Sequence, residues 1–499
     1  MVKGMNMIRR FIYYVTVCSI PVLAFLDALI LAGCSGNAGR EDGDGIRLRV
    51  VTYNDGNVPL DVKEVVAAAN EVSQRKIGVT IDLEFQPTEN INLMMASGEY
   101  YDMVFTSSFV NRFDKNASEN LYYDITDLVR KETPALYRTI GDYWDCAKID
   151  GRIYGVPTLK DMGSENMFRM NSDYFEGEKG MKIPERMDFA DIEPYLKAYK
   201  EDHPSEYPLE MSNGGPAGYL NFLERIVNPI VVIPYTKEGE KPRAIAFWDS
   251  EELMNRFRLL HKWYMAGYIH PDAATIDSTA ADKTIPVRWG VAWKGYQGYS
   301  NPSDWGFNVK TSIYDGPYIS RTSEQGAMFA ICAACDEEHA KACLKYLELL
   351  GTDRKFRDIL GYGIEGRHFE YLPNGTVLRL KTGQDRYNTR LYLTGSVVNA
   401  SVESVSTDFL ADPNQWEGVF EGYRTDGIYS TTKGFTYDQT PKEDIITALQ
   451  AIYSDYAAEL RTGTSDPDVV IPKMQKRMKA AGMDELLEDI NSKLDEWIE

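Results

Sequence analysis

The sequence is poor in basic charge and in cysteine, and it holds a single long apolar run. Lys and Arg number 54 against 75 Asp and Glu, a net charge of −21. Holding nucleic acid needs a basic surface to neutralise phosphates, so a chain this acidic is excluded from that class. Its own charge gives it no attraction to anionic lipid either. Six cysteines in 499 residues exclude a disulfide scaffold. No P-loop, no GxSxG elbow and no HExxH occurs. The five histidines, His203, His261, His270, His339 and His368, lie far apart with no metal-ligand spacing. No metal and no cofactor is therefore expected. Carboxylates are too numerous for one pair to stand out as general acid and base.

What is present suits a folded protein of two or three lobes: 499 residues, 43% apolar and 26% charged. The apolar run, Phe11 to Leu31, follows Lys3, Arg9 and Arg10 and ends in Leu31-Ala32-Gly33-Cys34. A positive front, an apolar stretch and small residues before a cut make a secretion signal. The pattern resembles the bacterial lipoprotein signal, which implies that Cys34 is acylated and becomes the new N-terminus. Asp27 inside the run is costly for a permanent membrane helix; an uncleaved transmembrane anchor is the competing reading. Removing residues 1–33 takes away three cations and one anion, which moves the net charge from −21 to −23. Nothing later approaches the roughly 18 apolar residues a span requires. Residues 34–46, Gly-rich and polar after Cys34, read as a flexible tether.

From Arg47 onward, alternating segments follow one another. RLRVVTY (47–53) and VTIDLEF (79–85) alternate as strands, and DMVFT (102–106) is a buried one. Residues 61–76 carry Val62, Val65, Val66, Ala69 and Val72 at helical spacing, with Gly78 as a stop. A short helix fits 90–97, and others fit 124–131 and 133–144. This β-α-β-α-β-α order predicts a parallel sheet with helices on both faces. Gly151–Pro157 (GRIYGVP) is predicted as a strand leaving that lobe. Helices are expected near 188–200, 216–227 and 249–266, strands at 285–293 and 328–333, then helices over 337–350, 441–461 and 485–498.

Two motifs are set aside on context. Gly361 to Gly366 matches GxGxxG, but a helix precedes it and a strand follows, the reverse of a dinucleotide loop; it reads as a glycine turn. Cys332-Ala-Ala-Cys335, with Cys343 nearby, lacks the second pair or histidines that a zinc site needs. Buried or incidentally bridged cysteines are expected at Cys332, Cys335 and Cys343, and the sequence leaves open whether these and Cys146 form disulfides.

Four stretches carry a family resemblance: Asn92 to Phe105 (NLMMASGEYYDMVF), Lys148 to Pro157 (KIDGRIYGVP), Met328 to Leu350 with the following GTDRKFRDIL, and Tyr362 to Phe369 (YGIEGRHF) with the tail Ala448 to Trp497. Together they resemble the extracellular solute-binding lipoproteins of ABC importers, in the large carbohydrate-binding family related to maltose-binding protein, and its sub-branch with an extra C-terminal region of uncertain function. Arg152 replaces the usual Lys of the crossing strand, and Cys335-Asp-Glu-Glu-His replaces the usual Ser-Pro-Glu junction. The resemblance implies an α/β, two-lobed periplasmic-binding-protein-like (type II) fold with hinge-crossing strands and a helical C-terminal region. Lobe one would comprise 47–157 plus about 325–375, and lobe two about 158–324 plus 376–499.

It also implies a lipid-anchored receptor outside the cell, monomeric, that captures an oligosaccharide without catalysis and delivers it to the permease subunits of an ABC transporter. An exported carbohydrate-active enzyme and a solute receptor for a sensor kinase remain alternatives. Sugar rings present flat C–H faces, which Trp and Tyr match. By resemblance Trp293, with Lys294 and nearby Tyr296, falls where the family stacks a ring; core packing is the equal alternative, and Trp289 is expected in the core. Strand ends of lobe one should offer Tyr53, Asn54 and Asp55, and Ser107 and Ser108, though a turn role suits them as well. Lys160 and Asp161, past the crossing strand, complete the candidates, with surface solvation as the alternative.

Overall fold

The computed structural model describes residues 45–53, 58–158, 163–235, 240–279, 282, 284–292, 305–387, 402–407, 423 and 425–499. Leu48–Glu499 forms one compact unit. Among the described residues no helix is long and apolar enough to cross a membrane.

The first sheet has five strands, in the order Val79–Gln86, Ile46–Tyr53, Met103–Thr106, Met328–Ile331 and Val156–Pro157. Ile46–Tyr53 and Met103–Thr106 are parallel, with Val50 opposite Met103. Parallel strands need a crossover, and helices Val62–Ile77 and Thr88–Ser97 lie along it. The first of these buries Val62, Val65, Ala69 and Ser73 on one stripe and ends at Gly78, whose φ of 69° is left-handed. Met328–Ile331 runs antiparallel to both of its neighbours, so the sheet is mixed where a parallel one was expected. Met103–Thr106 and Met328–Ile331 are buried at every position, as strands covered on both faces must be.

The second sheet has four strands, in the order Val287–Ala292, Ser164–Asn171, Val309–Ile319 and Ile428–Tyr429. A separate hairpin pairs Leu223–Val227 with Val231–Pro234. One core serves this lobe. Phe168, Trp263 and Trp289 belong to the same buried cluster as Leu449, Met474, Leu486 and Leu494. The last four come from the C-terminal helices Glu443–Thr462, Pro467–Ala480 and Met483–Ile498. Those helices complete the core, each fully buried Leu or Met adding about 1.5–3 kcal/mol of hydrophobic stabilisation. The chain leaves the first sheet after Val156–Pro157, and it returns from Val309–Ile319 through the short helix Arg321–Glu324 to Met328–Ile331.

Three segments differ from expectation. The helix expected at 216–227 is a turn followed by the strand Leu223–Val227; pairing with β-branched Val231 to Ile233 outweighs local helical spacing. The crossing strand 151–157 is broken into Arg152–Ile153 and Val156–Pro157. Asp150 (φ 47°) and Gly151 (φ 77°) make a tight turn back to Lys148–Ile149. At Gly155 an added Cβ would lie 2.8 Å from both Met328 Cε and Phe113 Cε2, so a larger residue there would force those side chains to shift. The tail holds a third helix, Pro467–Ala480, which contains Pro472, a residue that normally breaks the helical signal. At the altered junction Asp336 caps helix Glu337–Thr352, accepting from the His339 N–H. Cys146, Cys332, Cys335 and Cys343 are buried free thiols.

Candidate ligand cleft

The Met103–Thr106 strand runs into a tightly tied turn. The Ser107 hydroxyl oxygen accepts from the N–H of Phe109 (3.2 Å) and of Val110 (2.7 Å). The Thr106 hydroxyl donates to the Asn111 carbonyl (2.9 Å). Asn111 takes φ 53° and its amide donates to the Phe105 carbonyl (3.1 Å). With the polar groups turned inward, the Phe109 side chain is left 59% exposed at the turn's tip. The carboxyl end of a parallel strand is where open α/β sheets bind ligands.

The facing wall belongs to lobe two. Strand Leu223–Val227 slips register between Arg225 and Val227, a bulge of the kind that redirects side chains near sites. The Ile226 carbonyl accepts from the Gln439 amide (3.1 Å). Gln439 in turn accepts from the Arg112 guanidinium of lobe one (3.1 Å), and Lys115 lies 3.9 Å from Glu443. Both contacts run from one wall to the other.

The floor is buried and polar. Arg321 donates to the Asp114 carboxylate (2.9 Å) and to the carbonyls of Lys148 (2.9 Å) and Asp145 (3.1 Å). Gln325 donates to Asp114 (2.8 Å) and to the Cys146 carbonyl (2.9 Å). Glu324 pairs with Lys433 at 2.7 Å. Burial pushes the Glu324 carboxyl up to about 7, and the Lys433 ammonium opposes that rise. Burial also raises Glu224 above the usual carboxylate range, against a hydrogen bond from Ser430 and the charges of Arg225 and Arg321.

These elements enclose a cleft of about 480 Å³, within the size range of small-molecule sites. Its lining balances Arg112, Lys115, Arg225 and Arg321 against Asp114, Glu224, Asp438 and Glu443. A groove of about 670 Å³ shares Arg225, Asn228 and Gln450 with it and continues along lobe two past Tyr219 and Tyr453.

Of the residues expected from sequence, Ser108 lines the cleft, its hydroxyl donating to the Thr322 carbonyl (3.2 Å). Ser107 is fully buried and its hydroxyl is used inside the turn, so the turn role holds there. Tyr53 is half-buried against the Phe105 ring, 6.2 Å between centroids, and is not in the cleft lining. Trp289 is core, 5.4 Å from the Phe168 ring. Trp293, Lys294, Tyr296, Asn54, Asp55, Lys160, Asp161 and Cys34 lie outside the described residues. Sequence reasoning missed Phe109, Arg112, Asp114, Glu224, Arg321 and Gln439. Phe109 and Arg112 were within reach, one and four residues past Ser108 on the same strand-end loop. Gln439 carries no local signal.

This architecture has close counterparts among solved structures. The N-glycan transport solute binding protein NgtS of Streptococcus pneumoniae superposes with a TM-score of 0.78 over 90% of this chain and 98% of its own, at 22% identity. The fold is that of the two-lobed solute-binding proteins. Within this fold, the S. pneumoniae ABC-transporter substrate binding protein FusA, in complex with kestose, matches at TM-score 0.60 and 15% identity over 90% and 99% of the two chains. A curated carbohydrate ABC transporter substrate-binding protein of S. pneumoniae serotype 4 is 24% identical over 94% of this chain and 95% of its own. These relatives bear out the resemblance read from the sequence. Residues 431–499 match the Domain of unknown function (DUF3502), which is the part of the solute-binding fold that supplies Gln439 and Glu443.

Proposed function

We propose that this chain is the substrate-binding protein of a carbohydrate ABC transporter, taking up an oligosaccharide between its lobes and passing it unaltered to a membrane permease. The observation that carries this is the cleft itself: an exposed aromatic face at Phe109 opposite a hydrogen-bonding wall, with cationic and anionic side chains in equal number. On a protein of net charge −21, that local balance suits a neutral, hydroxyl-rich ligand, because cleft charge and net charge act separately. The names of the relatives point to the same chemistry. In this reading lobe closure surrounds the ligand. Trp293, Lys294, Tyr296, Asn54, Asp55, Lys160 and Asp161 are the further ligand contacts this reading assigns, and lipid on Cys34 holds a monomeric receptor at the outer face of the membrane.

Isothermal titration calorimetry with Man5GlcNAc, kestose and a peptide panel tests the proposal. The expected result is binding of a glycan in the micromolar range and its recovery intact. Titration by peptides alone, or recovery of a cleaved glycan, overturns it. Trp293→Ala should weaken glycan binding at least tenfold, and an unchanged affinity removes the stacking role of that residue.

A further inference from the structure

Packing leaves a buried group that lines the cleft incomplete. Glu224 is 4% exposed and lines the cleft, yet its Oε2 has no hydrogen-bond partner among the described residues. The guanidinium at the floor, Arg321, is occupied by Asp114 and by two backbone carbonyls. Leaving a buried acceptor unpaired is costly, and proteins rarely do so. Local rules broken in this way concentrate at functional sites, where another molecule completes the pairing. The partner Glu224 lacks is a hydrogen-bond donor small enough to enter the cleft, and a sugar hydroxyl meets that description.

We propose that Glu224 accepts a hydrogen bond from a hydroxyl of a glycan bound in this cleft. The proposal rests on the glycan-binding reading above. That reading gives the matched region 431–499 a role at the site in addition to packing, since Phe435 to Thr440 line the cleft and Gln439 bridges the lobes.

The test uses the full mature chain, with Man5GlcNAc as probe and kestose as the second probe. Glu224→Gln keeps the shape and removes the buried charge. It should melt at or above the wild-type temperature while binding the probe at least tenfold more weakly. Opposite movement of stability and affinity is what a merely structural role would not produce. Affinity within twofold of wild type in Glu224→Gln overturns the proposal, as does a fall in melting temperature that tracks the loss of affinity. A wild-type protein that binds neither probe removes the glycan reading and this proposal with it; a binding wild type with an indifferent Glu224→Gln removes this proposal alone.

Discussion

The two walls of the cleft are built in different ways. Lobe one presents a turn at the end of a buried strand, and most of the hydrogen bonds that shape it lie within Phe105 to Asn116, with Ser108 tied in addition to Thr322. Lobe two assembles its wall from a bulged hairpin at 223–227 and from residues 435–450, more than 200 positions later. The first wall is held by local hydrogen bonds, and the second exists only because three C-terminal helices pack into the lobe's core. Local construction makes a wall that survives insult elsewhere. Long-range construction ties recognition to the stability of a whole lobe.

That contrast breaks if the helices prove dispensable. Leu486, fully buried in the lobe-two cluster, is the place to look. Leu486→Ala should cost about 2–5 kcal/mol, read in urea, and hydrogen exchange should show the loss confined to lobe two with the 105–116 turn still protected. Equal deprotection of both walls would erase the distinction.

Glu324 sharpens it, because its ion pair joins the return segment to Lys433. Its carboxyl is raised to about 7 from an ordinary 4.5. Between those pH values the folded protein keeps a proton that the unfolded chain has released. The stability this contributes is complete below pH 4.5 and is lost as pH rises through about 7, with a ceiling of roughly 3 kcal/mol. Glu324→Gln should flatten that part of the pH–stability profile, and a slope identical to wild type would remove the assignment.

The smallest effect belongs to the contact between the walls. Lys115 and Glu443 are partly exposed and 3.9 Å apart, and such surface pairs contribute about 0–1 kcal/mol. Lys115→Glu should loosen the interlobe contact, seen as a larger radius of gyration in solution scattering at low salt. Adding Glu443→Lys should restore it, and failure of the double reversal to do so would mean that the pair does not hold the walls together.

How much was legible follows from the same contrast. The strands 47–53 and 79–85 and the helix after the first were readable from alternating or helical apolar spacing, and 102–106 from its short continuous apolar run, which is buried at every position of Met103–Thr106. The two-lobed fold was readable from the order of four motifs. The cleft was readable only on its local side: reasoning reached Ser108 and stopped one residue short of Phe109. Glu224 and Arg321 look like ordinary surface charges in sequence, since nothing local announces the burial of the first or the meeting of the second with Asp114. The strand at 223–227 was hidden because its partner, not its own composition, decides its conformation, and the helix at 467–480 was hidden by Pro472.

Gly155 bears on what the departing chain tolerates. A methyl group added there would press on the Phe113 ring, which is itself wholly enclosed, and on the end of Met328. The strand that leaves the first sheet is therefore seated by a residue with no side chain, and Gly155→Ala has to displace an enclosed ring.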